Sequence, residues 1–280
     1  MPSLDVVYCV DDAFVLGAIV SAVSVARVLS SPVRFHVIDG GLTASGELRL
    51  REALARLGDV TVYPVPGRLE LVGANRWYSS ASLGRLHLSQ IIPHSVDRIV
   101  YLDADTLVLS DLAELSAVDL GPGGLGAVVD PWAPTRRLGL SDGRLERAEV
   151  GAAAPGYFNA GVLVVDMVAW RAANISERAI DMYREHAAGL RSLDQDVLNI
   201  LFAGRWTALS RRWNKLIAHP GETYHGEARL AFLLSREGII HYSGPTKPWK
   251  ADFPSGALRD LYRETLDSVA MLIPRGDDRE

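Results

Sequence analysis

Cysteine is nearly absent. Cys9 stands alone in 280 residues, which excludes an internal disulfide framework and any zinc or iron–sulfur centre built on several cysteines. Lysine is almost as scarce: Lys215, Lys247 and Lys250 are the only three, and the other 26 of the 29 basic residues are arginine, a bias that reads as genome composition. With 34 acidic residues the net charge is −5, so the chain lacks the basic excess that neutralises nucleic-acid phosphates. No run reaches the ~18 uninterrupted apolar residues of a membrane span. Met1-Pro2-Ser3-Leu4-Asp5 has neither the basic nor the apolar region of a secretory leader, and the tail Asp277-Asp278-Arg279-Glu280 is no polybasic anchor. These absences lead us to expect a cytoplasmic protein with no nucleic-acid partner and no integral membrane segment. Apolar residues make up 48% and charged residues 22%, enough for a full globular core.

The first hundred residues alternate two periodicities. Val6–Val10, Val33–Ile38, Val60–Val65 and Arg98–Leu102 are short β-branched runs, and helical patterns over Phe14–Leu29, Glu47–Leu57 and Ser80–Ile91 separate them. Strands alternating with helices predict an α/β fold with a mostly parallel sheet covered on both faces. Ligands of such sheets gather at the carboxyl ends of the strands, where Asp11-Asp12 and Asp103-Ala104-Asp105 follow strands directly. Further on, Gly126–Asp130, Val162–Asp166 and Gly238–Tyr242 read as strands, Ser176–Ala188 and Val197–Phe202 as helices. Pro131–Pro155, rich in Pro, Gly and Arg, is too long for an ordinary connection and reads as a candidate lid. We expect one composite domain over 1–280, with a nucleotide-binding half to about 105, a second half to about 250, and a C-terminal helix and tail over 251–280.

Asp103-Ala104-Asp105 carries the sharpest chemistry. Residues two apart in an extended segment point the same way, and two converging carboxylates repel unless a cation lies between them. A divalent metal there could neutralise a phosphate-bearing ligand; a solvated Asp-x-Asp turn is the plain alternative. His241 ends an apolar run, as a core histidine would. It also opens His241-Tyr242-Ser243-Gly244-Pro245-Thr246-Lys247-Pro248-Trp249, where Gly244 permits close backbone approach and Lys247 offers a point charge suited to phosphate. As a third ligand, imidazole favours Mn²⁺ over Mg²⁺. Asn159-Ala160-Gly161 suits a β-turn before a strand. Ser192-Leu193-Asp194-Gln195 fits a capping box, with Gln195 reaching back to the helix start, so spacing alone makes this acidic cluster structural.

Two motifs mislead. Gly121-Pro122-Gly123-Gly124-Leu125-Gly126 matches the dinucleotide Gly-x-Gly-x-x-Gly pattern but leads into a strand, so its amides would not form the phosphate site. Asp103-Ala104-Asp105-Thr106 is similar to the nucleophile loop of haloacid-dehalogenase-type phosphatases, yet a whole β/α region precedes it.

Taken together, Val10-Asp11-Asp12, Arg85, Tyr101-Leu102-Asp103-Ala104-Asp105, Phe158-Asn159-Ala160-Gly161-Val162, Leu193-Asp194-Gln195-Asp196 and His241 through Trp249 occur in an order that resembles the retaining family 8 glycosyltransferases. That group contains glycogenin and the bacterial lipooligosaccharide galactosyltransferases. The resemblance spans about Val6 to Trp249 and implies a GT-A fold, a UDP-glucose or UDP-galactose donor and Mn²⁺. By position it implies that Asp103, Asp105 and His241 bind the metal. It places Val10, Asp11, Asp12, Ala104 and Arg85 at the nucleotide and donor, and makes Gly244 and Lys247 a diphosphate clamp. Asp130, Asn159, Ala160, Asp194 and Gln195 then form the donor-sugar pocket, with Gln195 beside the anomeric carbon.

The chain departs from the family at Ala13, where bacterial relatives often carry a polar nucleotide contact, and in missing the basic, aromatic C-terminal tail of membrane-associated relatives. Trp77 falls in the segment that reaches the acceptor in those relatives, where an aromatic ring could stack on a sugar. The expected acceptor is a hydroxyl of a soluble small molecule or glycan. Two other readings stand beside the transferase: a metal-dependent phosphohydrolase using Asp103 as nucleophile, and a non-catalytic sugar-nucleotide or glycan-binding module.

Overall fold

The computed structural model describes residues 3–71, 79–131, 156–221 and 225–272. Trp77 and nearly all of Pro131–Pro155, the expected acceptor contact and lid, lie outside the described residues. The element order is β1 (Leu4–Asp11), α1 (Val15–Val28), β2 (Val33–Gly41), α2 (Ala44–Leu54), β3 (Asp59–Pro64), a 3₁₀ segment over Ser80–His87, α3 (Leu88–Ile91), β4 (Arg98–Leu102), β5 (Thr106–Val108), α4 (Ala113–Ser116), β6 (Leu125–Val129), β7 (Phe158–Asp166), α5 (Met167–Ala172), α6 (Ile175–His186), α7 (Leu193–Leu201), β8 (Thr207–Ala208), β9 (Lys215–Leu216), α8 (Glu227–Leu234), β10 (Ile239–His241) and α9 (Ala257–Leu272).

Among the described residues the central sheet has seven strands in the order β3-β2-β1-β4-β7-β6-β8. Every pairing is parallel except the two made by β7, which runs antiparallel to both β4 and β6. The sheet is thus mostly parallel, in a GT-A type α/β architecture. Alternate residues of β1 feed two different cores. Val6, Tyr8 and Val10 pack under α1, α2 and α9, while Val7 and Cys9 pack with Tyr101, Trp170 and Tyr183 on the other face. Burial on both faces is why these strands read as continuous apolar runs.

Strand direction sets the position of the site. The carboxyl ends of β1, β4 and β6 share one edge, and the reversed β7 brings its amino end to that same edge, with Leu102 opposite Val162. Asp11, Asp103, Asp130 and Asn159 therefore reach one edge although they come from four strands. The expected turn over Asn159–Gly161 is instead the start of β7, and its pairing with β6 slips between Ala127 and Val128. A bulge of this kind bends a strand and re-aims its side chains. A second, small sheet in the order β5-β10-β9 sets His241 opposite Thr106 and beside Leu216.

Helix α1 is the clamp behind the site. Its buried Ser21 bonds Tyr8 Oη at 3.0 Å and Thr106 Oγ1 at 2.8 Å, and Ser24 Oγ accepts from Val108 N at 2.9 Å. Gly17 lets the helix touch both the Asp-Ala-Asp loop and the Trp249 ring, since a Cβ there would lie 2.7 Å from Ala104 O and 2.7 Å from Trp249 Cη2. The Ala104 side is backbone and cannot turn aside. Gly17→Ala is expected to lower stability by roughly 1–3 kcal/mol, the usual cost of overpacking. The measurement is a lower urea midpoint at unchanged slope.

Candidate active site

The shared edge encloses a cleft of about 440 Å³. Asp103, Ala104, Asp105, Arg85, Asp130, Asn159, Asp194, Gln195, His241 and Lys247, all expected from the sequence, line it. Tyr101, part of the quoted Tyr101–Asp105 segment, lines it as well, with Phe14 and His219, which no local pattern had singled out. Val10 is fully buried in the core. Asp11 sits where β1 slips against β2, and its Oδ1 is buried without a hydrogen bond in the structure. Asp12 turns elsewhere: its Oδ1 accepts from Thr43 N at 2.8 Å, just ahead of α2. The close approach that Gly244 permits is to the chain itself, because a Cβ there would lie 2.3 Å from Ala218 O.

At one end of the cleft, Asp103, Asp105 and His241 bring one ligand atom each to within 4.8 Å of one another. The backbone holds the loop open, with Asp103 N bonded to Gly161 O at 2.8 Å and Tyr242 N to Asp105 O at 3.0 Å. Gly161 makes the space, since a Cβ would fall 2.2 Å from His241 Cε1 and 2.8 Å from Asp103 Oδ2. Two carboxylates and an imidazole at this spacing fit a divalent cation.

Each carboxylate also has a protein cation. Arg85 donates through Nη2 to Asp103 Oδ1 at 2.7 Å, and its Nε is 3.0 Å from Asp194 Oδ2. Burial works against the Arg85 charge, but Asp103 and Asp194 outweigh it and raise its pKa above the ordinary arginine value. Lys247 Nζ donates to Asp105 Oδ2 at 2.6 Å and to Tyr242 O at 2.9 Å. Burial alone would lift the Asp105 pKa, yet Lys247 and His241 hold it well below the usual carboxylate range. Asp194 goes the other way. Burial raises its pKa to about 6, with Arg85 offsetting only part of that and Asp103 adding to it.

The other end of the cleft is a network of amides. Gln195 Oε1 accepts from Ala160 N at 3.0 Å and Asn159 Nδ2 at 3.1 Å, while its Nε2 donates to Asp130 Oδ2 at 3.3 Å and Tyr157 Oη at 3.2 Å. The expected capping box is not formed. Ser192 makes no side-chain cap, and Asp196 instead accepts from Arg191 N and Ser192 N, both at 2.7 Å. A carboxylate is the stronger acceptor for amides at a helix start, and taking that task over releases Gln195 into the cleft. Leu193 holds φ at +42° just before Asp194, a left-handed backbone that costs a non-glycine residue ~1–2 kcal/mol.

The model of the family described as "Glycosyl transferase family 8" matches residues 5–252. Among curated proteins, General stress protein A of Bacillus subtilis is 28% identical over 269 residues, covering 89% of this chain and 88% of that one. Lipopolysaccharide 1,3-galactosyltransferase of Salmonella typhimurium is 29% identical over 261 residues, covering 88% and 72% respectively. Among solved structures, galactosyltransferase LgtC, in complex with donor and acceptor sugar analogues, superposes with a TM-score of 0.74 at 27% identity, covering 95% of this chain and 96% of its own.

The raised Asp194 pKa has a signed consequence for stability. Between its ordinary value of 3.8 and about 6, the folded protein holds a proton on Asp194 that the unfolded chain has released. Stability contributed by this group therefore falls as pH rises through that window. In metal-free protein, Asp194→Asn removes the titration, so its stability relative to the wild type should climb from pH 4 to pH 6 and level off above. Urea midpoints across that range check the slope, and a flat difference would count against it.

Proposed function

The chain belongs to glycosyl transferase family 8, and on that premise we propose that it moves glucose or galactose, with retention, from a UDP-sugar to an acceptor hydroxyl in the presence of Mn²⁺. One observation carries the reading. A three-ligand cation site and a polar pocket of uncharged amides and carboxylates face each other across a single cleft of about 440 Å³, as a charged leaving group joined to a sugar requires.

A divalent ion held by Asp103, Asp105 and His241 would neutralise charge that builds on the diphosphate as the anomeric bond breaks. Lys247 lies at the same end, with its ammonium 2.6 Å from Asp105, and supplies a second positive charge for phosphate oxygens. Asp130 and Asn159 offer acceptors and donors for the sugar hydroxyls. Retention needs either a nucleophile on the far face of the sugar or front-side attack by the acceptor. Gln195 is neutral and a poor nucleophile, and Asp194 is held by Arg85, so front-side attack is the better reading. The Gln195 amide dipole then steadies the developing sugar cation. Arg85 serves beneath the pocket, keeping Asp103 and Asp194 apart at one shared charge. Among the described residues no helix is long and apolar enough to cross a membrane, which suits a soluble acceptor.

Titration calorimetry with UDP, with and without Mn²⁺, tests the reading: UDP binding should depend on the metal. Asp105→Ala should weaken it by more than the ~10–100-fold typical of losing an outer-shell partner, and His241→Ala should shift preference toward harder ions. Metal-independent UDP binding would overturn it. A screen of UDP-sugars for slow donor hydrolysis identifies the sugar and separates an enzyme from a binding module, which releases no UDP. Turnover of a generic aryl phosphate, lost in Asp103→Asn, would instead favour the phosphohydrolase.

Trp77 and Pro131–Pro155 carry the acceptor side of the proposal. Trp77→Ala should lower transfer far more than donor hydrolysis, because stacking on the acceptor stabilises only the acceptor complex. Equal losses in the two rates would remove Trp77 from the acceptor site.

A further inference from the structure

Asn214 closes a 3₁₀ turn, Arg211–Asn214, directly before β9, and is buried. Its amide lies between the two ends of the cleft. Its Oδ1 is 3.0 Å from His241 Nδ1, and its Nδ2 donates to Asn159 Oδ1 at 2.9 Å. The orientations of the Gln195, Asn159 and Asn214 amides follow from two backbone donors. Gly161 N bonds Asn159 Oδ1 at 3.0 Å, and Ala160 N bonds Gln195 Oε1 at 3.0 Å. A backbone N–H can only donate, so both partners must be oxygens. Asn159 Oδ1 can then only accept, which turns the Nδ2 of Asn214 toward it and leaves Asn214 Oδ1 facing the imidazole. An oxygen facing Nδ1 requires the proton on Nδ1. The opposite ring atom, His241 Nε2, lies 3.2 Å from Asp105 Oδ1 and 3.7 Å from Asp103 Oδ2.

We propose that Asn214 is a positioning residue that fixes His241 with its proton on Nδ1, so that Nε2 is the atom given to a divalent cation between Asp103 and Asp105. Through Asn159 the same amide ties the metal end of the cleft to Gln195 at the sugar end. The inference rests on the metal site proposed above. Its physical basis is general: a ligating histidine is held in orientation and tautomer by what its other nitrogen bonds. Asn214 is suited to the task because one end accepts and the other donates. Leucine, of similar size, could do neither, and aspartate could do only the first.

Calorimetric titration of the full chain with Mn²⁺ alone is the first test. Asn214→Ala should lose ~10–100-fold in metal affinity, and Asn214→Asp, whose carboxylate still accepts from Nδ1 but whose second oxygen faces the acceptor Asn159 Oδ1, should recover part of it. Placed on His241→Ala, Asn214→Ala should add no further loss, because both changes act through one ligand. A plain packing role would be rescued by Asn214→Leu, of similar volume, whereas here Asn214→Leu should bind metal as weakly as Asn214→Ala; a packing role would also add its loss in the double variant. Wild-type affinity in Asn214→Ala, or a full additional loss in the double variant, overturns the inference. Should the variants fail to fold, the wild type still decides. In its diamagnetic Zn²⁺ complex, ¹⁵N resonances of labelled histidine should show His241 protonated at Nδ1 and ligated at Nε2, and the reverse assignment overturns the inference. If the wild type takes up no metal at all, the metal site itself falls and this inference with it. If it takes up metal and only Asn214 proves indifferent, the site stands and this inference alone fails.

Discussion

Asp103, Asp105 and Asp194 crowd one cleft, the last two buried, and most of what surrounds them serves to make that charge tolerable. An unpaired carboxylate in such a place is costly. Arg85 answers Asp103 and Asp194 together, and its own charge is held by the Ser82 and Ala160 carbonyls at 3.0 and 2.5 Å and by the Tyr101 ring 4.6 Å below. Lys247 and His241 answer Asp105. The pattern is one of cations with different tenure. Arg85 is locked from every side, as befits a structural charge. Lys247 reaches the cleft from a short loop, over the Phe14 ring at 5.4 Å, and is held there by Asp105 and the Tyr242 carbonyl.

That division maps onto chemistry. The charge shared by Asp103 and Asp194 is carried by a planar guanidinium with several hydrogen bonds to give, and the charge on Asp105 by an ammonium, a point charge on a longer stem. Were a divalent ion to bind at Asp105 as proposed, it would compete with Lys247 for that carboxylate, which the ammonium holds at 2.6 Å. Burial of the whole group strengthens each of these interactions relative to water, and the same burial raises the Asp194 pKa to about 6.

Positions in the network are set by backbone more than by side chains. The reversal of β7 brings an amino end to an edge otherwise made of carboxyl ends, and its slip against β6 exposes Ala160 N and Gly161 N to Gln195 and Asn159. From those two donors the amides order themselves as far as His241. Position 161 serves twice: its N–H, which any residue but proline would supply, holds Asn159, and the missing Cβ leaves the space taken by His241 and Asp103, which only glycine can.

The α/β alternation, the placement of Asp103-Ala104-Asp105 after a buried strand, and the run from His241 to Trp249 were legible in the sequence because each is a local pattern: strand period, i and i+2 carboxylates, or a loop with its own glycine and lysine. Spacing alone makes Gln195 a cap for the same reason, and only the family resemblance put it in the donor-sugar pocket. Its spacing from Ser192 fits a capping box, and only the fold reveals that Asp196 has taken that task. The direction of β7 could not be read at all, since an apolar strand looks the same in either direction. Asn214 gave no signal, because its two partners lie 27 and 55 residues away and a lone asparagine in a turn is ordinary. Sequence by itself determined which residues carry charge and which segments are strand or helix, because these depend on near neighbours. Tertiary structure decided which charges meet, which amide faces which, and so which nitrogen of His241 is offered to the cleft. Those depend on contacts between segments that the chain order keeps apart.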